Sequence, residues 1–136
     1  MVNLPEDVSK IVNDPSAIKV LATKAPDGEI HVIRVGSIFS PEPGTIAFGA
    51  ILMKRTAANL EAMKLKNERP SVLVSSGTTS FEIKCSISQY ITSGPLFEKM
   101  NEELKKMGLQ ARGVWTLGVK EVWNQSASYE AGKKIA

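Results

Sequence analysis

The sequence predicts an antiparallel sheet or barrel carrying a few short helices. Three observations lead there. Runs of alternating apolar and polar residues recur, clearest where Phe81, Ile83, Cys85 and Ile87 alternate with Glu82, Lys84, Ser86 and Ser88. Turn chemistry separates the runs, as at Pro26-Asp27-Gly28 and Pro41-Glu42-Pro43-Gly44. Helical patterns do not alternate regularly with the strands, as a doubly wound parallel sheet would demand.

Each element follows from local residue chemistry. Residues 4–12 place Pro5, Glu6 and Asp7 at a helix start, with Val8, Ile11 and Val12 at helical spacing. Residues 17–23 read as a strand, followed by the Pro26-Asp27-Gly28 turn. Residues 30–39 make the second arm of that hairpin, which ends at 41–44 because neither Pro41 nor Pro43 can donate to a sheet ladder. A third strand covers 45–49. A helix is expected over 56–66, with Ala57, Leu60 and Met63 on one side and a stop at Asn67-Glu68-Arg69-Pro70. Strands at 71–75 and 80–91 flank a turn at Gly77. Gly94-Pro95 then opens a helix whose apolar stripe is Leu96, Phe97, Met100, Leu104 and Met107, at a period of ~3.6. The last strand, 113–123, sets Trp115, Leu117 and Val119 against Thr116, Gly118 and Lys120; the polar tail from Asn124 is assigned no element.

The 136 residues suit one domain spanning 1–136, and 43% hydrophobic with 23% charged residues is an ordinary folded composition. The net charge of +3 is a small excess of 17 basic over 14 acidic residues, without the basic stripe and interleaved aromatics of a nucleic-acid binder. One cysteine and one histidine exclude an internal disulfide and argue against a Cys/His metal site. No apolar run approaches the ~18 residues needed to cross a bilayer, and the N-terminus lacks a signal-like apolar region. A cytoplasmic location is the default expectation.

No hydrolytic constellation, P-loop or GxGxxG turn is present. His31 is expected to be partly exposed or structurally satisfied, and Cys85 to be core. The stretch "ILMKRTAANLEAM" raises a sharper question, because Lys54 and Arg55 stand where a helix begins. The helix dipole favours acids there by about 0.3–1 kcal/mol each, so two cations oppose it. A bound anion would reverse the sign. With Thr56 as N-cap, its hydroxyl, the free N–H groups behind it and the two cationic heads would converge on such an anion. A solvated basic pair is the plainer alternative. Arg34 interrupts "HVIRVGSIF" on the face shared by Ile30 and Val32, and an inward arginine there would need an anionic partner.

The succession "HVIRVGSIF", "TIAFGAILMKRTAANLEAM", "NERPSVLV", with "LPEDV" and "ATKAPDGEIHVI" before it and "ARGVWTLGV" after, resembles the FMN-binding split-barrel superfamily. This superfamily includes pyridoxamine 5'-phosphate oxidase, and the chain is most similar to its small FMN-binding proteins. The resemblance implies an antiparallel split β-barrel, mainly β with short helices, that forms a homodimer with FMN at the subunit interface. It implies that Lys54, Arg55 and Thr56 hold the phosphate, and that Arg34 supports the phosphate or ribityl chain. Val35, Gly36 and Ser37, with Phe48, Gly49 and Ala50, would line the isoalloxazine largely through backbone groups, Gly36 and Gly49 suiting close approach. Asn59 matches a position on the same helix. Trp115 or Trp123 is placed either over a partner's flavin or in the core or dimer interface.

The Arg-x-His element of the true oxidases has no counterpart in "LGVKEVWNQSASYEAGKKIA", so that activity is not expected. The implied function is an FMN-dependent oxidoreductase with a small-molecule or protein acceptor. An FMN carrier without its own substrate, a deazaflavin-dependent reductase and a cofactor-free interaction domain stay open beside it. Haem is disfavoured, since His31 alone could supply a histidine ligand.

Overall fold

A computed structural model of the chain describes residues 2–136. They form α1 (Glu6–Val12), β1 (Ile18–Lys24), β2 (Ile30–Arg34), β3 (Phe39–Glu42), β4 (Thr45–Gly49) and α2 (Lys54–Leu65). After these come β5 (Ser71–Ser76), β6 (Thr79–Ile91), α3 (Pro95–Lys105), β7 (Val114–Asn124) and the short β8 (Lys133–Lys134). The strands join in the order β2-β1-β5-β6-β7-β4-β3, with β8 added to β7, and every pairing is antiparallel. The predicted fold class is therefore the observed one.

The long strands β6 and β7 bend the sheet. Lys84 pairs with Glu121 and Cys85 with Val119, which leaves Lys120 as a bulged residue; Ser88 is the corresponding extra residue on β6. Each bulge adds local twist and inverts the in/out phase downstream. That is why Val119 and Val122, three residues apart, both lie in the core. The main core fills the concave side with Leu21, Ile46, Phe48, Leu60, Val72, Val74, Ile83, Cys85, Trp115 and Leu117. A second cluster, Ala47, Met100, Leu104, Ala111 and Val114, seats α3 on the opposite face of β4 and β7.

Four expectations are corrected. The single strand over 30–39 is two strands, β2 and β3, because the chain turns at 35–38: Val35 N–H makes the last β1–β2 bond, to the Lys19 carbonyl, and Ile38 N–H then folds back onto the Val35 carbonyl. Pro41 sits inside β3, an edge strand of the sheet, where a missing N–H costs no ladder bond. The α3 stripe stops at Leu104: the helix ends at Lys105, and Met107 is exposed. The tail adds β8, pairing Trp123 with Lys134 and Asn124 with Lys133.

Cys85 is fully buried, as its place in the alternating strand implied, and burial pushes its thiol from an ordinary 9.0 up to about 12. The folded state thus keeps its proton where the unfolded chain loses it, so stability is drained as pH rises from about 9 towards 12. In denaturant titrations the wild-type advantage over Cys85→Ala should shrink across that range and stay level below it.

Candidate functional site

Two segments expected to line a cofactor lie side by side. Val35 N–H donates to the Lys19 carbonyl at 3.0 Å, and Ile38 N–H closes the turn onto the Val35 carbonyl at 3.3 Å. Gly49 N–H donates to the Ser37 hydroxyl at 3.0 Å, fastening the turn to the end of β4. Val35-Gly36-Ser37 and Phe48-Gly49-Ala50 are thereby brought together. Val35 and Phe48 point into the core, so this surface is backbone plus the Ser37 hydroxyl, whose own proton stays available to a ligand. The Gly36 and Ser37 amides find no protein acceptor among the described residues.

The two glycines differ. A Cβ on Gly36 would meet open space. On Gly49 it would press on the Ala111 Cβ at 3.1 Å and on Leu104 and Met100 at 3.4 Å. Packing against α3 thus accounts for the absence of a side chain at Gly49.

At the start of α2 the sequence expectation is corrected in detail. The helix begins at Lys54, with Met53 at the N-cap, and Thr56 lies inside the first turn. Met53 is buried, and this apolar anchor sets the entry of the chain where a hydroxyl cap was expected. No side chain caps the helix and no acid occupies its first turn, whereas α1 has Glu6 and Asp7 and α3 has Glu98 there. The amides from Ile51 to Thr56 find no acceptor among the described residues; the first helical bond is Ala57 N–H to Met53 carbonyl. Lys54 and Arg55 are exposed beside these donors. The Thr56 hydroxyl, in a residue only 1% exposed, has no hydrogen-bond partner. Just before the helix Leu52 takes φ +49°, a conformation that disfavours side chains.

Further along α2, Asn59 is buried and its Nδ2 donates to Thr23 Oγ1 at 3.1 Å. Asn59 therefore pins the helix to β1.

Arg34 does not point inward. It shares its face with Ile30 and Val32, and all three are exposed. The inner face of β2 belongs instead to the half-buried His31 and Ile33. Arg34 lies opposite Val20 on β1, three positions along from Thr23, which holds Asn59. Trp115 is a core residue, 2% exposed, packed on Tyr90 with ring centroids 4.7 Å apart. Trp123 is on the outside, donating to Glu121 and lying under the Lys84 ammonium.

Lys19 went unnoticed in the sequence. It is 5% exposed, and its ammonium donates to the Ile38 carbonyl at 2.8 Å. Its signal was phase: Lys19, Leu21 and Thr23 alternate along β1, and all three are buried. Loss of hydration lowers its pKa, and the nearby Asp14 carboxylate works against that shift.

Two open clefts lie elsewhere, one where the ends of β1 and β2 meet the end of α2 and one on the outer face of β1, β2 and β5. One, of about 410 Å³, is lined by Thr23, Ile30 and Met63 and by the Lys24–Glu68 ion pair. The other, of about 300 Å³, is lined by Val20, Val32, Leu73 and Glu82. Neither contains the 35–38 turn or the start of α2. Among the described residues no cluster of three or more His, Cys, Asp or Glu side chains could hold a metal. No helix among them is long and apolar enough to cross a membrane.

This antiparallel sheet, whose two edge strands β2 and β3 are joined by the 35–38 turn, has the architecture of a split β-barrel. Solved structures agree. The chain resembles HupZ of Group A Streptococcus at a TM-score of 0.79 and 12% identity, covering 100% of both chains. It resembles an FMN-binding protein from Syntrophomonas wolfei at 0.73 and 14%, covering 88% of this chain and 84% of that one. An F420 reductase matches at 0.62 and 17%, over 86% and 94%. At these identities the likeness establishes the fold. No protein-family signature and no curated protein matches the sequence.

Proposed function

We propose that this protein binds FMN and serves as a flavin-dependent oxidoreductase or electron carrier. The start of α2 carries the proposal: free amides from Ile51 to Thr56, no capping side chain, no acid in the first turn and two exposed cations. These donors suit a phosphate dianion. The buried, unpartnered Thr56 hydroxyl in the same first turn is a further polar group for this assignment. Arg34 contributes charge from the exposed face of β2. The Gly36 and Ser37 amides, with the Ser37 hydroxyl, supply donors for the polar edge of the ring, and the open side of Gly36 admits it. When bound, FMN supplies hydride and single-electron transfer at its ring. The protein's part is to neutralise the phosphate, orient the ring and place hydrogen-bond donors against it.

A second copy of the chain completes the proposal. The edge strand β2 and its neighbours expose Ile18 (50%), Ile30 (65%), Val32 (58%) and Leu73 (37%) on one sheet face. An apolar face on an open sheet edge is a surface that dimerisation covers. The deazaflavin reading is retained because of the likeness to an F420 reductase, and a phosphate site by itself serves either cofactor.

One preparation tests these points. The purified protein, or the protein after FMN uptake, should show the flavin absorption bands, release FMN by mass on denaturation and have the solution mass of a dimer. A deazaflavin spectrum would favour the second reading. A colourless protein that takes up no flavin would leave only a cofactor-free interaction domain.

A further inference from the structure

Among the described residues Lys19 is the one buried cation, and the cofactor reading gives it no part. Its position is specific. The Lys19 carbonyl accepts from Val35 N–H at 3.0 Å, and its ammonium donates to the Ile38 carbonyl at 2.8 Å. One residue of β1 thus grips both ends of the 35–38 turn. Within the turn only the Gly36 and Ser37 amides are left without acceptors. Placing an ammonium in a residue 5% exposed is costly unless its bonds matter, and the lowered pKa of Lys19 reflects that cost. Asp14, the charged group that acts on it, is already engaged with the Ser16 amide and hydroxyl. A barrel end that needed only filling would be served by leucine or methionine at this position.

We infer that Lys19 is a positioning residue for the cofactor ring: its side chain fixes the 35–38 turn in the form that presents the Gly36 and Ser37 amides outward and sets Ser37 Oγ against Gly49 N–H. The inference rests on the flavin reading for its functional half, while the structural half stands on the cofactor-free protein. A turn held at both ends by one β1 residue loses little conformational entropy when a ligand engages its free donors, which is how preorganisation raises affinity. A neutral side chain of similar length would leave the Ile38 carbonyl unpaired and free the C-terminal half of the turn.

The test uses Lys19→Met and Lys19→Arg. In the cofactor-free protein, amide hydrogen exchange at Gly49 and Ile38 should accelerate at least ten-fold in Lys19→Met, while the β5 amides exchange as in wild type. Lys19→Arg, which keeps a donor, should restore most of the protection. FMN dissociation constants should rise about ten-fold in Lys19→Met and recover in Lys19→Arg, and the flavin midpoint potential should shift in the methionine variant alone. Unchanged exchange at Gly49 and Ile38, or acceleration spread evenly over the sheet, would overturn the inference. So would local acceleration with unaltered FMN affinity and potential. If the wild-type protein takes up no flavin at all, the cofactor reading fails first, and the exchange data still decide whether Lys19 holds the turn.

Discussion

Replacing Lys54 and Arg55 together by alanine should weaken FMN binding by about 30- to 700-fold and leave the cofactor-free protein as stable as wild type, or slightly more so. The two effects have opposite signs for one physical reason. In the cofactor-free chain both cations face the positive end of α2, a repulsion of about 0.3–1 kcal/mol each, and alanine is the better helix former. With a phosphate dianion present, each cation contributes a charge-assisted hydrogen bond of roughly 1.5–3 kcal/mol, reduced to about 1–2 kcal/mol at an exposed site. The sum, about 2–4 kcal/mol, gives the quoted range at about 1.4 kcal/mol per decade. Fluorescence titration of FMN and thermal unfolding of the cofactor-free protein measure the two halves. Affinity within three-fold of wild type would place the phosphate elsewhere. Wild-type affinity should also fall more steeply with salt than that of the double variant, because screening acts on the removed charges.

What the sequence disclosed depended on whether a residue's neighbours along the chain settled its environment. In β6 they did: Phe81, Ile83 and Cys85 are buried between half-exposed partners, and strict alternation suffices to place them. In β2 they did not, because Ile30, Val32 and Ile33 make both faces apolar, so the inward phase had to come from the strand's place at the sheet edge. The pattern alone therefore allows an inward Arg34, which the structure turns outward. At α2 the pattern identifies the helix and its basic start and offers Thr56 as the cap, whereas the N-cap is Met53. A threonine is the stronger local cap, yet burial of Met53 in the core decides where the chain enters. The role of Gly49 was invisible, since the atoms that exclude a side chain there belong to Met100, Leu104 and Ala111, more than 50 positions along the chain. Lys19 is the same problem in reverse: its phase was readable, but its bond to the Ile38 carbonyl exists only after the 35–38 turn has formed.

Phe48→Ala should cost about 3–5 kcal/mol, the largest stability effect of any single substitution considered, and should loosen the candidate site with it. Phe48 is fully buried, faces Trp115 across the β4–β7 ladder and stands one residue before Gly49, whose amide holds Ser37. Truncating the ring removes its transfer free energy and leaves a cavity walled by strands that are hydrogen-bonded on both sides and cannot collapse to fill it. Against a typical reserve of about 5–15 kcal/mol, such a loss takes a large share of what keeps the domain folded. Denaturant unfolding gives the magnitude, and the fluorescence of Trp115 reports the local repacking. Phe48→Leu should recover more than half of the deficit, since it refills most of the volume without new polar groups. A cost near 1 kcal/mol for the alanine variant would mean that β4 is not packed against the barrel interior as described. In that case the juxtaposition of Gly36, Ser37 and Gly49, which depends on β4 being fixed, would lose its support as well.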